Sequence, residues 1–222
     1  MIESMIGLNT LPKKSVLLIE EDIGDIKSIL VQQIGYEMAK LKQNIYYIST
    51  KKLKEDIINQ MLLFGMNDVS NLSTFNIYEK NNKVENSLDV CNNDLLHSFF
   101  NIPLQKLNEV DILIIDSFSS LYIDKDSSNS LKNLLDLLLN ASRKNNLIVL
   151  LTLDMGILSK RDESIMRFMV DGIIQFKTSY SDNSIHRSIN IPKMKDNFPY
   201  DKLVSFYLTD KGMAADRRER IG

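Results

Sequence analysis

Residues 17–35 read LLIEEDIGDIKSILVQQIG. An apolar strand comes first, an acidic loop follows, and a Lys-Ser pair at 27–28 then opens a stretch with the apolar spacing of a helix. A phosphate-binding loop has the pattern G-x-x-x-x-G-K-[S/T] between a strand and a helix. The Lys-Ser pair sets the register, which puts Glu21 and Ile26 at the two glycine positions and Gly24 at a middle position. The layout predicts a phosphate loop that lacks most of its glycines.

Five consecutive residues are the candidates for holding a nucleotide in such a loop: Gly24, Asp25, Ile26, Lys27 and Ser28. Their backbone N–H groups would face the phosphates, the Lys27 ammonium would contact the β- and γ-phosphates, and the Ser28 hydroxyl would hold Mg²⁺. ATP and Mg²⁺ are therefore the candidate cofactors, with no cofactor at all as the alternative.

The departures from the pattern work against phosphate binding. A β-branched Ile26 is stiffer than glycine and crowds an anion that a glycine would let approach the backbone. The stretch also carries four carboxylates, namely Glu20, Glu21, Asp22 and Asp25. Each repels a triphosphate a few ångströms away by roughly 1–4 kcal/mol at effective dielectric constants of about 20 to 80. Taken alone, the motif therefore favours a plain turn between strand and helix with a solvated acidic tip.

Apolar runs of strand length recur along the chain, at Val16–Ile19, Ile45–Ile48, Ile112–Ile115, Leu147–Leu151, Gly172–Phe176, Arg187–Ile191 and Val204–Leu208. Helical spacing is found at Ile29–Leu41, Lys54–Phe64 and Leu131–Ala141. Strands that alternate with helices predict an α/β fold with a mainly parallel sheet covered on both faces. The last three strands have polar turns between them, which predicts an antiparallel C-terminal extension.

Two polar stretches, Tyr78–Asp94 and Asp126–Asn129, are predicted to be surface loops. Neither carries the apolar spacing of a strand or helix. The whole chain, 1–222, is expected to form one domain with a charged tail at 213–222.

Composition narrows the function classes. The net charge is −2, so there is no overall basic field for nucleic acid or an anionic membrane, and the single cysteine excludes an internal disulfide. The sequence has no apolar run long enough to span a membrane and no signal peptide. A cytoplasmic protein without membrane insertion and without a nucleic-acid partner is expected.

Residues 111–121 read DILIIDSFSSL, four apolar residues ending in Asp116. This suits a buried parallel strand that delivers a carboxylate at its C-terminal edge, where ligands bind in such sheets. In nucleotide hydrolases an aspartate at this place orients the Mg²⁺ water shell. The alternative is an aspartate that only stabilises the turn after the strand.

Placed after a strand, loop, Lys-Ser and helix, DILIIDSFSSL resembles the second nucleotide motif of the RecA superfamily, and its KaiC-like branch most of all. The resemblance continues in order through IYYISTKKLKEDIINQMLLFG (45–65), LIVLLTLD (147–154), RSINIPKMK (187–195) and VSFYLTDKGM (204–213). YIST followed by NQM is also similar to the FlaH-like archaellum accessory proteins of that branch. The resemblance to the KaiC-like branch implies a RecA-like three-layer α/β/α domain, with Thr152 as the polar sensor at a strand end. The order and spacing of the motifs carry this inference, since each alone is weak.

The resemblance also implies an acidic residue after YIST that activates the attacking water, but Lys51 and Lys52 stand there instead. A lysine, with an ordinary pKa of about 10.4, is a poor base at neutral pH, and loss of a general base slows a reaction by roughly 10²–10⁴-fold. Ion pairs between these lysines and the acidic loop are one possibility; the sequence favours two solvated lysines. No catalytic residue is assigned.

Lys193 and Lys195 match a Lys-Met-Arg element that, in the family, reaches the nucleotide of a neighbouring subunit. Lys195 replaces the Arg and lacks its planar bidentate geometry, and an exposed strand end is the alternative. The partners that the resemblance implies are a second copy of the chain or a paralogous RecA-like subunit.

Three functional hypotheses follow. The first is a degenerate KaiC-like protein with impaired or absent nucleotide hydrolysis, acting as a regulatory or scaffolding subunit. The second is an ATP-binding member with weak ATPase activity in signalling or archaellum assembly. The third, a recombinase-like DNA binder, is disfavoured by the balanced charge and the lack of a stripe of aromatic and basic residues.

Overall fold

The computed structural model describes residues 11–79, 104–122, 128–181, 184–197 and 203–216. Within these residues the strands are β1 (Ser15–Glu21), β2 (Ile45–Ser49), β3 (Phe75–Glu79), β4 (Ile112–Asp116), β5 (Ile148–Asp154), β6 (Gly172–Ser181), β7 (Ser184–Met194), β8 (Val204–Thr209) and β9 (Gly212–Ala215). The α-helices are α1 (Ile26–Lys40), α2 (Lys54–Leu63), α3 (Ser128–Asn145) and α4 (Lys160–Met169). Short 3₁₀ helices lie at Val69–Asn71, Leu104–Glu109 and Phe118–Leu121.

The strands form one sheet in the order β3-β2-β4-β5-β1-β6-β7-β8-β9. Every pair from β3 to β6 is parallel, and every pair from β6 to β9 is antiparallel. The prediction of a mainly parallel sheet with an antiparallel C-terminal extension is confirmed. Because β1, β2, β4 and β5 run in the same direction, their C-terminal residues share one edge, which positions the candidate site.

Alternation along β1 explains why the whole strand is buried. Leu17 and Ile19 belong to the apolar core on one face of the sheet, together with residues of α1 and α2. Val16 and Leu18 belong to the core on the other face, together with residues of α3 and α4. Successive side chains of a strand point to opposite faces, so a central strand covered on both faces reads as a continuous apolar run.

Helix α1 lies very close to the sheet at Gly35. A Cβ added there would stand 2.8 Å from the Phe75 ring and 3.1 Å from the Ile114 side chain. Fully buried Leu30 and Ile34 pack on the same face. This close packing fixes the N-terminus of α1, and with it the Lys-Ser pair, against the strand ends.

Two strands and one α-helix were not predicted, namely β3, β9 and α4. In α4 all four apolar residues lie in the second half, at Ile165–Met169, so the first half of the helix shows no apolar period. The predicted loop Tyr78–Asp94 is wrong for Tyr78 and Glu79, which end β3, and its remainder lies outside the described residues.

The predicted loop Asp126–Asn129 is wrong for Ser128 and Asn129, which begin α3; its first two residues are outside the described part. The predicted tail is wrong at 213–215, since these residues pair with β8 as part of β9. Residues 217–222 are not among those described. None of the helices in the described residues is long and apolar enough to cross a membrane.

Candidate functional site

The centre of the candidate site is the Asp116 carboxylate, at the end of β4. Its Oδ1 accepts hydrogen bonds from the Ser28 hydroxyl at 2.9 Å and from the Thr152 hydroxyl at 2.7 Å. Asp116 is 3% exposed. The structure thus brings together three residues predicted from separate motifs, on α1, β4 and β5.

Tyr47 completes this cluster and was not predicted. Its hydroxyl donates to Oδ2 of Asp116 and accepts from the Gln32 amide at 3.3 Å. Burial raises the pKa of Tyr47 well above its usual value, and the negative charge of Asp116 raises it further. A phenol kept neutral in this way remains a donor to the carboxylate.

The loop between β1 and α1 folds around the Glu21 carboxylate. Oε2 of Glu21 accepts hydrogen bonds from the backbone N–H groups of Ile26 at 2.9 Å and Lys27 at 3.2 Å. These are the first two residues of α1, whose N–H groups have no partner within the helix. A carboxylate of the chain therefore stands where a helix N-terminus binds an anion.

Lys27 is buried among groups of its own chain. Its ammonium lies 2.7 Å from Oδ1 of Asp154 and 3.5 Å from Oε2 of Glu21, and it donates to the Gly24 carbonyl at 2.9 Å. Burial lowers the pKa of Lys27, but the hydrogen bond and charge of Asp154 and the charge of Glu21 outweigh it, so the pKa is raised. Lys27 is thus held in its charged form by these carboxylates.

Lys51 and Lys52 are both in ion pairs, so the interpretation of two solvated lysines is wrong. Lys52 pairs with Oδ2 of Asp25, which also accepts from the Gln60 amide at 3.0 Å. Lys51 lies 3.1 Å from Oδ2 of Asp154. Burial raises the pKa of Asp25, but the bonds from Lys52 and Gln60 outweigh it and the pKa is lowered.

The picture of four carboxylates at a solvated tip is also wrong for Glu20 and Glu21, which end β1 and are buried. Glu20 accepts from Arg167 of α4 at 2.9 Å and from the Gln175 amide. Because neighbouring strand residues point to opposite faces, Glu20 faces α4 while Glu21 faces α1. Asp22 is exposed, as predicted for the tip.

Lys193 and Lys195 hydrogen-bond backbone carbonyls of their own chain. Lys193 donates to the Phe168 carbonyl at 3.0 Å and to that of Val170, at the end of α4. Lys195 donates to the Lys14 carbonyl at 2.8 Å, just before β1. Neither hydrogen-bonds the cluster around Asp116, and their predicted contact with a neighbouring subunit's nucleotide stays a prediction.

Asp154 is the main residue that sequence reasoning missed. It ends β5, two positions after Thr152, and pairs with both Lys27 and Lys51. Burial raises its pKa, but the Lys27 bond and charge outweigh that and the pKa is lowered. Its signal was present, since it ends an apolar strand just as Asp116 does.

The order of the parallel strands, the strand-loop-Lys-Ser-helix unit and the carboxylate ending β4 define a RecA-like nucleotide-binding fold. The family model of the KaiC ATPases matches residues 2–218. The chain belongs to the KaiC family of ATPases. Membership of this family implies a nucleotide, typically with Mg²⁺.

Two solved structures share the fold. Flagellar accessory protein FlaH from Methanocaldococcus jannaschii matches with a TM-score of 0.74 and 18% identity, over 97% of this chain and 94% of that one. A KaiC-like protein from the hyperthermophilic archaeon Pyrococcus horikoshii OT3 matches with a TM-score of 0.74 and 18% identity, over 96% and 94%. None of the curated protein sequences matches the chain.

The residues fit the two parts of MgATP differently. Oγ of Ser28 and Oδ1 of Asp116 lie 2.9 Å apart. These two oxygens suit an Mg²⁺ ion whose remaining ligands would be waters and a phosphate oxygen. No group of three acidic, His or Cys side chains suited to a metal occurs within the described part of the chain. The phosphates do not fit this arrangement, since Glu21 and Asp154 hold the N–H groups and ammonium that would receive them.

Proposed function

We propose that this KaiC-family protein is impaired in nucleotide hydrolysis or lacks it, and that it acts as a regulatory or scaffolding subunit. The observation that carries the proposal is the state of Lys51 and Lys52, which stand where the family resemblance implies the acidic base. Lys52 pairs with Asp25 of the loop and Lys51 with Asp154. An ammonium group has donors and no acceptor, so it takes no proton from water.

The size of the defect follows from what the missing base contributes. A general base raises the rate of the chemical step by roughly 10²–10⁴-fold, so losing it alone would reduce the ATP turnover of an active enzyme to a trace.

A regulatory or scaffolding role fits a protein that keeps the fold of an ATPase but hydrolyses ATP poorly or not at all. The similar protein from M. jannaschii is itself described as an accessory protein. The partner proposed is a second copy of this chain or a paralogous RecA-like subunit. Light scattering after gel filtration tests this, and a chain that stays monomeric alone and beside an active KaiC-family paralogue contradicts the scaffolding role.

The second candidate is an ATP-binding protein with weak ATPase activity, in signalling or archaellum assembly. It is favoured by the Ser28–Asp116–Thr152 cluster, which keeps the hydroxyls and carboxylate of a magnesium site in contact.

Calorimetry with MgATP and a phosphate-release assay separate the two candidates. The proposal expects at most a trace of release, with no dependence on Ser28. Release that disappears in Ser28→Ala, from a protein that binds MgATP with a micromolar Kd abolished by Lys27→Ala, establishes the second candidate instead. Because Lys27 is buried, circular dichroism must first show that its variant is folded.

A further inference from the structure

The Glu21 carboxylate has the surroundings of a bound ligand. It ends β1, its side chain is 0% exposed, and one of its oxygens accepts from two consecutive backbone N–H groups, those of Ile26 and Lys27. The Lys27 ammonium stands 3.5 Å from the same oxygen. Two N–H groups at a helix N-terminus and one ammonium are the donors that such a loop offers to a phosphate.

Gly24 closes the loop over this carboxylate. Its φ is +128°, a value that side chains rarely adopt, and a Cβ added there would stand 2.7 Å from Oε1 of Glu21. The glycine that remains in the loop therefore lets the backbone approach the chain's own anion. This is the use that glycine has beside a phosphate.

The second oxygen of Glu21 indicates that the fit is imperfect. Oε1 is buried and has no hydrogen-bond partner within the described part of the chain. Burial is the largest influence on the Glu21 carboxyl and raises its pKa, although Lys27 and the two N–H groups act in the opposite direction. A buried acceptor without a donor costs free energy, so the carboxylate is held less firmly than an anion whose oxygens are all paired.

Resting on the proposed function, we propose that Glu21 is an intramolecular ligand that fills the phosphate cradle and keeps the phosphates of a nucleotide out. With the Glu21 charge removed, the cradle takes the polyphosphate group of a nucleoside triphosphate. Glu21 stands at the position of the first glycine in the loop pattern, so one residue both removes that glycine and supplies the anion.

The mechanism is competition at one set of donors. A phosphate that enters must displace the carboxylate from Ile26 N–H, Lys27 N–H and the Lys27 ammonium. The apparent affinity for the phosphate is therefore the intrinsic affinity multiplied by the small fraction of molecules in which Glu21 has left the cradle. The displaced charge then repels the phosphate as well, by roughly 1–4 kcal/mol, a factor of about 5 to 1,000.

The test compares Glu21→Gly and Glu21→Gln with Asp22→Asn as the matched control. Calorimetry with MgATP and with pyrophosphate measures binding, and amide NMR shifts of Ile26 and Lys27 locate it. Both Glu21 variants are expected to bind at least about tenfold more tightly than the wild type, with shifts at these amides. Asp22 is exposed and outside the cradle, so its variant removes an equal charge and should change binding by less than about threefold.

Three results overturn the inference: folded Glu21 variants that bind no more tightly than the wild type, an Asp22→Asn variant that gains as much, or wild-type protein that binds MgATP through these amides. Gln keeps the shape of Glu, so it remains informative should the Gly variant fail to fold. The proposed function fails by a different result, which is phosphate release by the wild type that disappears in Ser28→Ala.

Discussion

Replacing Lys27 with Met should destabilise the folded protein by about 2–4 kcal/mol. The side chain is 2% exposed and its ammonium faces two carboxylates, Glu21 with a side chain 0% exposed and Asp154 at 21%. Removing one partner of a buried ion pair costs about 3–5 kcal/mol, because a charge is left buried and unpaired. The exposed part of Asp154 and its second partner, Lys51, reduce that cost.

Urea unfolding followed by circular dichroism measures the change. In a chain of 222 residues the same loss lowers Tm by about 5–15 °C. Lys51→Met is the control: its side chain is 48% exposed, so its pair with Asp154 should be worth about 0–1 kcal/mol. Met keeps most of the length of Lys, so a cavity contributes little to the difference.

A double-mutant cycle connects the loss to Glu21. Lys27→Met combined with Glu21→Gln should lose about 1–3 kcal/mol less than the two single changes added together, because the neutral pair leaves no buried charge at the helix N-terminus. A loss below about 1 kcal/mol for Lys27→Met refutes the reasoning. It would mean that the lysine is free for a ligand, as in an ordinary phosphate loop.

Further predictions concern the loop and the strand ends. Asp116→Asn should lower the free energy of unfolding in urea by about 2–3 kcal/mol, because an amide cannot accept three hydroxyl hydrogen bonds as the carboxylate does. Tyr47→Phe removes only one of these bonds and should cost about 1–2 kcal/mol. Equal losses for the two variants would contradict this. Gly24→Ala should lower stability by about 1–3 kcal/mol through its φ of +128° and the contact with Glu21, and an unchanged Tm would contradict it. The pKa of Asp154 is lower in the folded protein than its ordinary value of 3.8, so its ionised carboxylate stabilises the fold at pH values above 3.8. This stabilisation is lost as the pH falls through the lower pKa of the folded state. Asp154→Asn should therefore be less stable than the wild type at pH 7 and lose less stability between pH 5 and pH 3.

The strand ends were predictable because the relevant signals are local. Apolar runs located β1, β4 and β5, and parallel strands that end at one edge bring Asp116 and Thr152 together, with Ser28 opposite them at the start of α1. Three short or polar elements, β3, α4 and β9, were missed for the converse reason. Their residues become buried only through contacts with distant parts of the chain, which periodicity does not record.

The pair between Lys52 and Asp25 of the acidic loop was one of two alternatives that the sequence left open, but the other charge pairs were not predicted. The sequence places Glu20 and Glu21 side by side, but strand alternation sends one to Arg167 and the other to the N-terminus of α1. Lys51 and Asp154 are 103 residues apart in the chain and form an ion pair. Counting the charges in the loop predicted four carboxylates that repel a phosphate from a solvated tip. Whether a carboxylate repels a ligand or takes the ligand's place depends on its burial and on its distance from the donor groups.

Apolar period and the order of strand and helix are properties of neighbouring residues, so the sequence predicted an α/β fold with a mainly parallel sheet. The resemblance to the KaiC-like branch of the RecA superfamily then implied a RecA-like domain with the phosphate loop between β1 and α1. Only the tertiary structure decided what fills the loop. Lys27 is charged and buried, so it must have an anion beside it, and the atoms that the fold brings within reach are the carboxylates of Glu21 and Asp154.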